Sequence, residues 1–309
     1  MKIKKYLVSI FIVIVCIINI SLIKLASTSK KDFKVDAPAK MEEAFTKALT
    51  EAGLNSEYEI VISDKNPDIT VSYGKENDSE YHKIAYSPFI VAINKDSSLS
   101  KDLQKANTIE QSQYESDDDI YTINLSKFVS NIINNTKMKD LGFPSKTSIF
   151  VPSKNSIYWT DFYNLLLITV NNGTYPKDKK ELQEAEKVIQ SFFESKRVVQ
   201  VDNFEEKLVR TNYFSENALY IIPEILAITV SNNGSSRLIY PLNTVNFNYY
   251  VKGNSENGKK VVSKLLTSDG FFKKLNKKYF RCDKYLKLPD SYSSVYGQTD
   301  AYDLVNPYK

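Results

Sequence analysis

From Ile84 to Ile93 the chain runs Ile-Ala-Tyr-Ser-Pro-Phe-Ile-Val-Ala-Ile, a segment without a charge and with a proline at position 88. So apolar a run predicts a strand covered on both faces. Pro88 conflicts with the middle of a sheet, because proline supplies no amide to the ladder. The segment therefore lies either at a sheet edge or where the chain crosses from one domain to another. A length of 309 residues corresponds to about two domains or lobes, enough to bury a sizeable core.

The residues before this segment set its surroundings. Phe33–Asp36 and Glu57–Ser63 alternate apolar and polar positions, and Asp68–Gly74 follows the break at Pro67; all three predict strands. Between the first two, Met41, Ala44, Phe45, Ala48, Leu49 and Ala52 recur at helical spacing, with Pro38 at the entrance and Gly53 at the exit. A strand–helix–strand opening argues for a parallel sheet with crossover helices. Further helices are predicted at 125–133, 159–170, 177–196, 204–214 and 259–280, the last broken near Ser268-Asp269-Gly270. Strands are predicted at 148–151, 198–201, 218–222, 237–241 and 245–251. The stretch from Leu99 to Tyr121, with Asp117-Asp118-Asp119, reads as a solvated loop, since a calcium loop needs more correctly spaced ligands. The tyrosines of the tail, from Tyr285 to Tyr308, follow no repeat and read as packing against the body.

Charge narrows the function. The net +4 comes from 41 Lys and Arg against 37 Asp and Glu, and four of the bases (Lys2, Lys4, Lys5 and Lys24) lie in the first 26 residues, where there is no acid. The remaining 37 bases face 37 acids, so the body is neutral and offers no basic face for nucleic acid. One histidine, His82, cannot build a histidine-rich zinc site, and two cysteines, Cys16 and Cys282, exclude a disulfide framework or an iron–sulfur site. No phosphate-binding glycine loop or nucleophile elbow occurs. The sequence predicts neither an enzyme nor a bound cofactor.

Residues 1–26 carry a basic start followed by the uncharged run Tyr6–Ile23. They read as a signal peptide or a membrane anchor, and the run is just long enough to span a bilayer. Lys24 sits between it and the small residues Ala26-Ser27-Thr28-Ser29, which weighs against cleavage. Cys16 lies mid-run behind the bulky Val15 and reads as an apolar filler, not a lipid attachment site. The lysines at 2, 4 and 5 orient the amino terminus inward and the body outward.

Three short segments resemble motifs of the bacterial extracellular solute-binding proteins of the type 2 periplasmic-binding-protein fold. Asn66–Ser72 is similar to that family's P-D-I-x-x-S strand and Ile84–Ala92 to its A-Y-S-P crossing strand. Tyr279-Phe280-Arg281 is similar to its terminal G-F-R, and Pro223-Glu224 and Ile239-Tyr240-Pro241 match more weakly. The resemblance spans roughly residues 33–282, with the motifs in the family's order. It implies an α/β fold of two lobes with mixed sheets and crossing hinge strands, preceded by the apolar N-terminal helix. Lobe 1 would comprise 33–92 and 243–309, and lobe 2 residues 93–242.

The resemblance further implies a monomer that captures a small polar ligand, with an oxyanion among the candidates, and delivers it to an ABC permease at the outer face of the membrane. The ligand would meet Ala37 and Pro38 at the first helix start, Ser72, Tyr73 and Ser87 in the first lobe, Asn155 and Ser156 at the second helix start, and the Glu224 carboxylate near the return strand. Free amides and a partial positive charge at helix starts suit an anion. Two departures weigh against one: Pro38 removes an amide, and the segment 152–156 has Lys154 and Asn155 where anion-binding relatives place a glycine. The alternative is a membrane-anchored sensor or scaffold that keeps the fold but binds protein partners.

Overall fold

The computed structural model describes residues 30–73, 78–95, 97–111, 121–204, 206–207, 217–230, 236–285 and 301–302. The leader, the acidic run 117–119, most of the predicted helix 204–214 and most of the tail beyond Tyr285 lie outside the described residues.

The chain opens with β1 (Lys31–Asp36), a 3-10 turn at Ala39–Met41, and α1 (Glu42–Glu51), whose Ala44, Phe45, Ala48 and Leu49 form one buried face. It leaves α1 through Gly53 at φ +73°, a left-handed position that ends helices without a Cβ penalty. β2 (Tyr58–Ile62) and β3 (Ile69–Tyr73) follow, and β4 (His82–Asn94) is the long apolar strand. Next come α2 (Ser97–Lys105), β5 (Glu110–Gln111), β6 (Tyr121–Ile123), α3 (Leu125–Ile133), β7 (Ser148–Pro152), α4 (Trp159–Val170) and α5 (Lys179–Glu194). The chain continues with β8 (Val198–Val201), β9 (Ala218–Pro223), α6 (Glu224–Val230), β10 (Ser236–Pro241), β11 (Thr244–Gly253), α7 (Glu256–Leu265), α8 (Asp269–Lys277) and β12 (Ala301–Tyr302).

Helix α2 corrects the reading of 99–121 as a loop. Its surface is polar, but Leu99 and Leu103, one turn apart, are both buried. Two apolar residues are too few to announce a helix in sequence. They suffice once the Gly142 turn presses against them, where a Cβ would lie 2.5 Å from the Asp102 carbonyl oxygen.

Two sheets share β4. In the first, the order is β2-β1-β3-β11-β4, with β2 and β3 parallel to β1 and β11 antiparallel to both β3 and β4. The second is built from β8-β7-β9 on one side of β4, and β10-β6-β5 on the other. Pro88 sits where β4 changes sheets: it lies opposite Asn246 of the first, and Phe89 lies opposite Pro223 of the second. Its missing amide therefore falls at the handover between ladders. The chain returns by β10 in the second sheet and β11 in the first, and the Thr244 hydroxyl ties this return to the Phe89 carbonyl at 2.6 Å.

The P-D-I segment earns its place through Asp68. Its carboxylate accepts the Lys34 amide at 3.0 Å and the Ser255 hydroxyl at 2.6 Å, and its carbonyl accepts the Asn254 amide at 2.8 Å. One side chain thus joins β1, β3 and the start of α7, where Ser255 caps the Gly258 amide. Helices α1 and α8 meet through the Phe45 and Phe271 rings, 5.5 Å apart.

Candidate functional site

A cavity of about 500 Å³ opens between the two sheets. From the first sheet, the end of β1 and the turn after it supply Asp36, Ala37, Pro38 and Lys40, and β3 supplies Thr70, Ser72 and Tyr73. Tyr249 of β11 and Phe280 complete that wall. From the second sheet come Ile157 and Tyr158, before α4, and Ile225 and Leu226 of α6. Three further depressions lie beside α2 and α3 and are lined by residues on the second sheet's side of the molecule.

Aromatic rings set the cavity's shape. Phe247, buried beneath it, stacks on Tyr73 at 4.8 Å and meets the edges of Tyr158 at 4.8 Å and Tyr249 at 5.2 Å. Tyr249 in turn contacts Phe280 edge-on at 5.2 Å. Such pairs add roughly 0.5–1.5 kcal/mol each beyond area burial and hold the rings in place. At the mouth, burial and the neighbouring Lys278 ammonium push the Lys40 pKa below the usual lysine value.

Behind the cavity lies a buried ion pair. The Arg281 guanidinium donates to both Glu224 oxygens, Nε to Oε2 at 2.6 Å and an Nη to Oε1 at 2.7 Å, and the Tyr240 hydroxyl donates to Oε1 at 2.5 Å. Burial alone would lower the Arg281 pKa, but the Glu224 charge and its hydrogen bonds outweigh that and raise it, so the guanidinium stays charged. Arg281 also forms a backbone bridge with Tyr86 of β4. The pair therefore ties the start of α6, the crossing strand and the segment after α8 to one another.

Next to it, burial pushes the Cys282 thiol up to about 11. A thiol this poor in thiolate reacts slowly. We expect peptide mapping after alkylation at neutral pH to find Cys282 protected in the native chain and modified at once in denaturant. Because its pKa is raised on folding, its contribution to stability is complete below the ordinary value of 9.0 and declines as pH rises toward 11.

The residues expected to meet ligand divide into two groups. Ala37, Pro38, Ser72 and Tyr73 line the cavity. Ser87 is buried, and its hydroxyl accepts the Ile225 amide at 2.8 Å, so it fastens α6 to β4. Asn155 and Ser156 are not a helix start: α4 begins at Trp159. The Ser153 hydroxyl accepts the Asn155 amide at 3.1 Å and the Ser156 hydroxyl accepts the Tyr158 amide at 3.3 Å, so local hydroxyl turns occupy the segment. Ser153 also donates to Asp202. Glu224 lies near the return strand as expected, but Arg281 and Tyr240 hold its carboxylate and its exposure is 0%.

Sequence reasoning missed the neighbours of these residues. Ile157 and Tyr158 follow Asn155 and Ser156, and Ile225 and Leu226 follow Glu224. The alternation of Phe247 and Tyr249 on β11 was a visible signal, since period two puts both on one face.

No family model and no curated protein matches the sequence. Solved structures do match the fold. Iron-bound HitA from Pseudomonas aeruginosa superposes with a TM-score of 0.55 at 11% identity, covering 89% of this chain and 93% of that one. The sulfate-binding protein SubI from Mycobacterium tuberculosis H37Rv gives 0.53 at 10% identity, covering 82% and 87%. An ABC transporter structure from Clostridium perfringens gives 0.51 at 12% identity, covering 89% and 94%. The fold is that of the type 2 periplasmic binding proteins.

Proposed function

We propose that this chain is an extracellular solute-binding protein, not an enzyme, that captures a small polar molecule in the cavity between its sheets for an ABC-type importer. The observation that carries this reading is the cavity itself, walled by residues of both sheets at the point where crossing strands join them. The structures of a sulfate-binding and an iron-bound protein with the same fold support it. In this reading residues 1–26 are the signal peptide or membrane anchor, 33–92 with 243–309 form lobe 1, 93–242 form lobe 2, and the protein acts as a monomer. Among the described residues no helix is long and apolar enough to cross a membrane, and no group of three or more His, Cys, Asp or Glu side chains is placed to hold a metal ion. Ala37, Pro38, Ser72 and Tyr73 would touch the ligand, while Ser87 and Glu224 would position α6, which carries part of the wall. Asn155 and Ser156 would shape the turn that presents Ile157 and Tyr158.

A thermal-shift screen of polar metabolites tests this reading. A ligand at a hundredfold excess over its dissociation constant stabilises the folded chain by about 2.7 kcal/mol, and the Ser72→Ala variant should blunt that shift. A broad panel that produces no shift would overturn the reading.

A further inference from the structure

We propose that the ligand of this cavity is an uncharged ring compound carrying hydroxyl groups, the chemistry of a nucleoside or an aromatic alcohol, and not an inorganic oxyanion or a metal ion. The inference rests on the reading of this cavity as the ligand site. Its first support is the state of the backbone amides at the helix starts around the cavity. An oxyanion held at a helix start needs N–H groups turned toward it. Before α4, the Asn155 and Tyr158 amides donate to the Ser153 and Ser156 hydroxyls at 3.1 and 3.3 Å. The Ser156 and Trp159 amides donate to the Ser153 and Ser156 carbonyls at 3.0 and 3.1 Å. At α6 the Ile225 amide donates to the Ser87 hydroxyl at 2.8 Å. In the 3-10 turn before α1, Pro38 has no amide, and the Met41 amide donates back to the Pro38 carbonyl at 2.8 Å.

The second support is the balance of charge. Asp36 and Lys40 are the charged side chains of the lining, one of each sign. Lys40 already has a partner within the protein, and its neighbour Lys278 pairs with Glu43 at 3.0 Å. Behind the wall, Arg281 and Glu224 neutralise each other. An ion entering the cavity would give up hydration without an excess of opposite charge to replace it, whereas a hydroxyl needs only a hydrogen bond. Asp36 and Ser72 can each accept one. A metal ion fares no better, since Asp36 is the one carboxylate in the lining.

The third support is the wall. A volume of about 500 Å³ suits a small organic molecule, whose pockets run to about 300–1,000 Å³ and are lined mainly by apolar and aromatic groups. Tyr158, Tyr249 and Phe280 border the cavity while nearly buried, and contacts with Phe247 or with one another hold their rings. Ile157, also in the lining, is 56% exposed, the most exposed large apolar side chain among the described residues. A ring seated beside it covers apolar surface that a hydrated ion would leave in water.

Isothermal titration calorimetry on the purified chain tests this with three neutral probes: uridine, adenosine and 2-phenylethanol. Their charged relatives are uridine 5′-phosphate, adenosine 5′-phosphate, phenylacetate and 2-phenylethylamine, and glycerol and sulfate complete the set. At least one neutral ring compound should bind, its charged relatives should bind at least tenfold more weakly, and neither glycerol nor sulfate should bind. Binding by the nucleosides alone, or by the alcohol alone, supports the inference and separates the two sources of the chemistry. Ile157→Ser should weaken the neutral ligand several-fold while leaving the melting temperature of the unliganded chain unchanged. Sulfate binding, a charged relative equalling its neutral partner, undiminished affinity in Ile157→Ser, or no binding by any of the three neutral probes would each overturn the inference. The solute-binding reading survives that result if another metabolite shifts the melting temperature, and falls with the inference if none does.

Discussion

Arg281→Met should lower the stability of the chain by about 3–5 kcal/mol, the cost of leaving one partner of a buried ion pair without the other. Among the described residues, the Glu224 carboxylate would keep the Tyr240 hydroxyl as its one side-chain donor, at a site with essentially no solvent exposure. Glu224→Met should cost as much, since it leaves the buried guanidinium without its carboxylate. The double variant carrying both methionines should recover most of the loss, because a well-packed apolar pair of similar volume is often no worse than a buried ion pair. Urea unfolding of the two single variants and the double gives the coupling between them. If either single change costs less than about 1 kcal/mol, the pair behaves as an exposed one and the geometry above is wrong. The cavity should suffer with it. Ile225 and Leu226 follow Glu224, and Phe280 precedes Arg281, so loosening the pair displaces wall residues from both sides.

Gly258→Ala is expected to destabilise by about 3 kcal/mol or more, through overpacking against backbone that cannot retreat. A Cβ at this position would lie 2.0 Å from the Asp68 carbonyl oxygen. Asp68 is pinned on three sides: its amide donates to the Lys34 carbonyl at 2.8 Å, its carboxylate accepts from Lys34 and Ser255, and its carbonyl accepts from Asn254. Gly53→Ala is the comparison. There the φ of +73° is unfavourable for alanine but nothing lies within 4 Å, so the cost is about 1 kcal/mol. Denaturation midpoints of the two variants separate backbone strain from close packing, and a Gly258→Ala no worse than Gly53→Ala would contradict the contact. Since Asp68 leads directly into Ile69–Tyr73, the same variant should also weaken any ligand that depends on Ser72 or Tyr73.

Much of this fold was legible in the residues. The strand–helix–strand opening, the interruption at Pro88, as an edge or a crossing, and the breaks at Gly53 and near Ser268 all follow from local rules: proline lacks a donor, glycine tolerates positive φ, and apolar side chains recur at the period of the element that buries them. Helix α2 was not legible, because two leucines in a polar stretch carry too little periodicity until Gly142 and its turn supply the surface they pack on. The site was half legible. Residues at the end of β1 and on β3 face the cavity because strand ends and the turns after them must open toward it. Ser156, Ser87 and Glu224 have the chemistry of ligand contacts, but the fold uses it internally, in a hydroxyl turn, a helix tie and an ion pair. A polar side chain looks the same in sequence whether its partner is a ligand or a distant part of the chain.

The amino-acid sequence alone determined most of the elements, their order and the place, Pro88, where the long apolar strand had to be either an edge or a crossing, since these depend on residues near one another along the chain. The tertiary structure alone decided which polar groups remain to face the cavity. Arg281 is 57 residues from Glu224 and Ile225 is 138 from Ser87, so only folding brings those partners together and removes them from the list of groups a ligand can meet. What it leaves at the wall is a set of aromatic rings with Asp36, Lys40 and the hydroxyls of Thr70 and Ser72 among them, and these are the groups that a ligand in this cavity would meet.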